Sequence, residues 1–267
     1  MAALRAVLSP ALICFVLSTA KGAKETLDAT THIKPICAAS GKLKALELYI
    51  AQKLAAGRQA ATTLSARRPT FALYAMSTES QTDKANCRLV ASYIDQKAYT
   101  VLNDMANTFE EALKAAGAAH YAAGVIDGAI ETLASESSSD EHCLTKSDGE
   151  AAADSTDLAG CNTKTEDYTN LQEHWETQTA KQTLGAITTQ ADIIVASSSD
   201  KCALWTGGSN LNSETAQTVI WAGGTIAFAA ASEDTVQRRQ ITSSNTPKIF
   251  PTISLIDELR SKISANN

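Results

Sequence analysis

The chain has 267 residues, a formal net charge of −6, aromatic residues at only 5% and five prolines. A mildly acidic chain without a basic tract does not attract phosphate backbones, which excludes nucleic acid as a partner. So little aromatic and proline content in an Ala- and Thr-rich chain suits long helices better than a β-sandwich.

Residues 1–20 read as a secretory signal peptide. Arg5 is the positive start, Ala6 to Leu17 is an apolar stretch interrupted by Ser9 and Pro10, and Ser18-Thr19-Ala20 are the small residues before a cut. Cleavage after Ala20 fits best; a cut after Ala23 would put Lys21 at the third position before it. The apolar run falls short of the ~20 residues of a spanning helix. Removing Arg5 takes the net charge from −6 to −7. The next most apolar stretch, Val219 to Ala231, is 13 residues and contains Thr225, so no membrane anchor is expected in the mature chain. Cleavage also removes Cys14 and leaves Cys37, Cys87, Cys143, Cys161 and Cys202. In an oxidising compartment these pair and leave one over, a free thiol or one whose partner lies elsewhere. No CxxC occurs, so zinc and thioredoxin-like chemistry have no spacing to rest on.

Pro35 marks a helix start. Leu43, Leu46, Ile50, Leu54, Gly57, Ala61 and Leu64 then recur at spacings of three and four, a single stripe close to a heptad. Arg67-Arg68-Pro69 gives cations and then a stop. The expected helix, Cys37 to Arg68, is roughly 45 Å long. A turn-bearing connection over 69–84 follows, with Thr82 or Asp83 as the next cap. The second stripe runs Val90, Ile94, Ala98, Val101, Met105, Phe109, Ala112 and Ala116, then through Val125, Ile126 and Ile130 to about Leu133. Two such helices on a short connection pack as an antiparallel hairpin. Gly124 and Gly128 inside the second helix have two readings: a close backbone approach, or a local break, each Gly costing about 1 kcal/mol relative to Ala.

Residues 135–170 are polar and read as a solvated loop region, beginning with the low-complexity run Ser135 to Asp140. A Cys143–Cys161 bridge would close it, with a loop-entropy contribution of roughly 3 kcal/mol; the alternative is that each cysteine pairs back to the long helices. Cys37–Cys202 is the expected second bridge, with Cys87 unassigned. Tyr168 to Ser197 returns to helical spacing through Leu171, Trp175, Leu184, Ile187 and Ile194. Thr206 to Asn210 is a turn signal. Trp221 to Ile226 reads as short strands or a buried helical turn, and Ser254 to Ile263 as a last amphipathic helix after Pro247 and Pro251.

Motifs that place catalytic groups are missing. There is no Gly-rich phosphate cradle and no HExxH, and Gly207 to Leu211 lacks the closing Gly of a nucleophile elbow. Nothing near Asp148 matches a calcium loop. His32, His120, His142 and His174 are scattered. His142-Cys143 could suggest an activated thiol, but an exported cysteine belongs in a disulfide. His174-Trp175 reads as a core edge. The acid pairs Asp140-Glu141 and Glu166-Asp167 read as solvated surface. Catalytic, cofactor-binding and metal-binding residues are therefore expected to be none, with no cofactor. No Asn-x-Ser/Thr acceptor is present.

The combination resembles one family. It comprises the leader, the Ala- and Thr-rich start from Ala23 to Thr31, the early Cys37, the heptad-like hairpin, the polar lobe with Cys143 and Cys161, Cys202-Ala-Leu-Trp205, and Trp221-Ala-Gly-Gly-Thr-Ile226. Together these resemble the N-terminal domain of trypanosome variant surface glycoproteins, more the B-type than the A-type, over residues 21–267. The resemblance implies a mainly α fold, an elongated antiparallel long-helix hairpin or coiled-coil spine with disulfide-stapled loop lobes and at most minor β. It implies a homodimer on the outer face of the plasma membrane, reached through the secretory pathway, forming a dense coat. Host antibodies are its recognising partners, evaded by antigenic variation, and no catalysis is implied. The family's full-length form carries a C-terminal domain and a glycosylphosphatidylinositol lipid anchor, whose signal this sequence does not show; without it the product would be secreted. The competing reading is a receptor for a host ligand on the same scaffold, like the transferrin or haptoglobin–haemoglobin receptors. Its ligand patch would lie in 135–170 or 206–220, where no aromatic–Arg cluster stands out.

Overall fold

A computed structural model describes residues 26–135, 142–161, 168–171, 173–195, 202, 218–228, 236–241 and 257–258. The leader, the run 136–140, the turn 206–210 and nearly all of the helix expected at 254–263 lie outside the described residues.

The spine is a two-helix hairpin. Helix α1 runs Lys34–Ser77 over 44 residues and α2 runs Gln81–Ser135 over 55. At 1.5 Å per residue these are about 65 and 80 Å long. Pro35 falls in the first turn of α1, where its missing N–H costs nothing. The connection is only 78–80, much shorter than the expected 69–84. Thr78 N donates to the Tyr74 carbonyl at 3.0 Å and closes α1. Ser80, not Thr82 or Asp83, opens α2, its Oγ accepting from Asp83 N at 3.3 Å.

Two expectations for the spine are corrected. Pro69 does not stop α1, which continues for two further turns. Pro69 and Ser65, whose carbonyl loses its N–H partner, are both exposed, where water can reach them. Ala61 and Ala75 bury against the hairpin on either side of it and carry the seam across. Gly124 and Gly128 neither break α2 nor meet another backbone: both are exposed, and a Cβ on either would touch nothing within 4 Å.

The core sits at one end of the hairpin. Ile36, Leu43, Leu46 and Tyr49 of α1 share a single buried cluster with Ile126, Ile130 and Leu133 of α2 and with Trp175. Two small sheets cap this end. In the first, β1 (Thr26–Asp28) lies between β2 (Leu144–Thr145), parallel to it, and β3 (Ile194–Val195), antiparallel. The second is an antiparallel meander of β4 (Val219–Trp221), β5 (Ile226–Phe228) and β6 (Val236–Arg238). Both readings of Trp221 to Ile226 are present at once, since a helical turn at Ala222–Gly224 joins two strands. Ala222, Gly223 and Gly224 have φ of 48°, 66° and 96°, a left-handed run that two glycines make affordable. Arg238 of β6 ties the sheet to the start of the spine, its guanidinium donating to the carbonyls of Thr31 and Thr188 at 3.0 and 2.9 Å.

The 168–197 stretch is not one helix. It breaks into a 3₁₀ turn at Tyr168–Leu171, α3 (His174–Thr177), α4 (Ala180–Gly185) and β3. Gln178 is extended, Thr179 caps α4 in a reciprocal capping box with Gln182, and Ile194 beyond it enters the sheet.

The disulfides are also corrected. Cys37 pairs with Cys161, and Cys143 with Cys202; Cys87 is free. Gly160 holds φ +99°, and a Cβ there would collide with the Cys37 carbonyl, so the loop lies directly on α1 and delivers Cys161 to Cys37. Cys143 is held away from Cys161 by the first sheet, where its carbonyl accepts from Leu27 N at 2.9 Å.

Candidate functional site

The buried polar groups of Ser40, Lys44 and Thr183 are held by structural partners. Lys44, 7% exposed, donates from Nζ to Asp127 Oδ2 at 2.7 Å, and Ser40 Oγ donates to the other carboxylate oxygen. The Lys44 ammonium also lies 5.1 Å from the centre of the Tyr168 ring. Serine, lysine and aspartate together suggest a nucleophile, but Ser40 is fully buried and its proton is committed to Asp127. The cluster fixes the register of α1 on α2.

The histidines are placed apart. His174 Nε2 lies 2.7 Å from Thr183 Oγ1, and the ring meets Trp175 edge-on at 5.6 Å. Burial, with a smaller contribution from Lys42, pushes its pKa down to about 4. Trp175 is fully buried and donates from Nε1 to the Lys42 carbonyl at 2.9 Å, so His174-Trp175 is a core edge. His32 is lowered by burial and by Arg238, against the opposing pull of Asp28 and Asp192. His120 meets Glu47 across the hairpin at 2.8 Å, in the open. His142 neighbours a cysteine that is oxidised. Among the described residues no group of three His, Cys, Asp or Glu could hold a metal ion, and no helix is long and apolar enough to cross a membrane. Asp140, Glu141, Glu166 and Asp167 lie outside the described residues.

What remains is a surface. Ala51, Leu54, Ala55 and Arg58 of α1 face Leu102, Met105, Ala106 and Phe109 of α2 across an open groove of about 550 Å³. Both rows follow the same i, i+3, i+4, i+7 spacing, the pattern of a seam that takes another helix. Gly57 leaves room for Met105 beside the groove, because a Cβ there would stand 2.8 Å from Met105 Sδ. Leu102, Phe109 and, one turn further, Leu113 remain 49%, 50% and 58% exposed. The sequence stripes contained several of these residues, but periodicity alone could not separate the side facing the other helix from the side left open.

Comparison with known proteins adds two findings. A family model described as trypanosome variant surface glycoprotein (A-type) matches residues 11–264. A solved structure described as "Structure of MITat 1.1" is similar at 17% sequence identity and a TM-score of 0.63, over 90% of this chain and 70% of that one. No curated protein matches. The structural likeness supports the fold, and the match to the A-type model removes support for the expected B-type.

Proposed function

This chain belongs to the A-type variant surface glycoproteins of trypanosomes, a family of cell-surface coat proteins, and on that premise we propose that it serves as one subunit of a paired, variable coat unit with no catalytic role. The observation that carries this reading is the apolar groove between α1 and α2. Leu102 and Phe109 are half exposed on a surface where a free chain would gain by covering them. A second copy supplies the same two rows, and the two hairpins close into a four-helix bundle. The head lobe, the end of the hairpin that carries both sheets, has its core and both bridges within the one chain. Its surface loops are free to vary as long as they stay soluble, which is what escape from host antibody requires.

Export by the leader at 1–20 and display on the outer face of the cell belong to the same reading, as does a lipid anchor on the full-length form. Antibody raised against the head lobe should stain intact, unpermeabilised cells. Immobilised protein should capture no serum protein saturably; saturable capture of a single host ligand would replace the coat reading with the receptor.

A further inference from the structure

Cys143 is eighteen residues from Cys161 but fifty-nine from its native partner Cys202. Closing a flexible loop costs entropy that grows with the logarithm of its length, so the short loop closes about six times more readily. Zipping the hairpin first does not correct this preference. Ser40 packs on Ala123 and Asp127, which brings Cys37 to the α2 end from which the chain runs on to Cys143. In either order the partner closest to Cys143 along the chain path is the wrong one. The native pair is held by the assembled lobe: Leu27 N donates to the Cys143 carbonyl, and Cys143 and Cys202 are both fully buried.

We propose that the first bridge made by Cys143 is non-native, mainly to Cys161, and that Cys202 resolves it, so that the chain is a substrate for thiol–disulfide isomerisation and not for oxidation alone. A disulfide oxidant such as oxidised glutathione takes two electrons and two protons from Cys143 and Cys161 and leaves as two thiols. The Cys202 thiolate then attacks Cys143 Sγ. The Cys143–Cys202 bond forms, the bond to Cys161 breaks, and Cys161 departs as a thiolate with no net oxidation. A second equivalent of oxidant joins Cys161 to Cys37. The odd thiol does not undo the result. Cys87 sits forty residues along α2 from Asp127, about 60 Å away on a rigid helix, out of reach of either finished bridge.

The test is oxidative refolding of the reduced, denatured chain in oxidised glutathione, with samples acid-quenched, alkylated and mapped by peptide mass. The earliest samples should hold Cys143–Cys161 over Cys143–Cys202 by about sixfold. That species should decay into the native pair, faster as pH rises and the Cys202 thiolate forms. In Cys37→Ala/Cys202→Ala, where neither native partner can attack, the Cys143–Cys161 bridge should persist, a readout that does not depend on the variant reaching the native fold. If Cys143–Cys202 is the first bridge at Cys143, or if Cys143–Cys161 does not decay into it, the proposal is overturned.

Discussion

The two halves of the hairpin are built on the same principle and finished differently. Thirteen residues of α1 are buried, but beyond Ile50 only Ala61 and Ala75 are among them. In the head half, sheets, loops and two disulfides cover both helices. In the tip half, towards the 78–80 connection, each helix packs mainly on the other among the described residues, and Leu73, Met76, Leu89 and Tyr99 are all well exposed. The difference shows that one amphipathic stripe serves two purposes. Where the described chain folds back over it, the stripe makes a core; where it does not, the stripe stays exposed.

The contrast can be broken most forcefully inside the head. Asp127→Ala strands the Lys44 ammonium in a buried site and should cost about 3–5 kcal/mol in urea unfolding. Adding Lys44→Met should recover much of that loss, because the uncompensated charge is then gone. A matched pair on one helix sharpens the comparison. Leu43 is fully buried and Leu73 is 65% exposed. Leu43→Ala should cost about 2–5 kcal/mol, whereas Leu73→Ala should stay within about 0.5 kcal/mol. Equal losses at the two positions would erase the distinction between the halves.

Pro69 tests the tip from the other side. Alanine there restores an N–H in an exposed turn and should stabilise the chain by about 1–3 kcal/mol, read as a rise in melting temperature. A more modest effect is expected from acid in the head. His174 has a folded pKa of about 4 against an ordinary 6.5, so the fold favours the neutral ring. As pH falls below about 6.5 the unfolded chain takes up a proton that the fold refuses, and stability declines until about pH 4, then levels. Water reaches part of the ring, which limits the loss to on the order of 1–2 kcal/mol. His174→Gln should flatten the wild-type stability profile between those two pH values; an unchanged slope would assign the acid response elsewhere.

The spine was legible in the sequence because its stripe runs at three- and four-residue spacing for more than ten turns. Pro69 misled because a local penalty of about 3 kcal/mol was weighed without the seam that continues through Ala75. The 168–197 stretch misled because Trp175, Leu184 and Ile194 fit helical spacing while Thr179 and Gln182 cap a new helix within it. The bridges were misread for a deeper reason. Loop length favours Cys143–Cys161, and the native pairing depends on Gly160 lying on Cys37 and on β2 lying beside β1, contacts between residues more than a hundred positions apart. The groove was half legible, since its residues stood in the stripes while their exposure depended on which chain segments reach the tip.

Sedimentation equilibrium tests the central claim most directly, on the wild-type chain and on Leu102→Glu/Phe109→Glu at micromolar concentration. The expected result is a wild-type dimer and a monomeric variant with unchanged far-ultraviolet circular dichroism. A wild-type monomer across that range, or a dimer that survives both charges in the groove, would contradict the account.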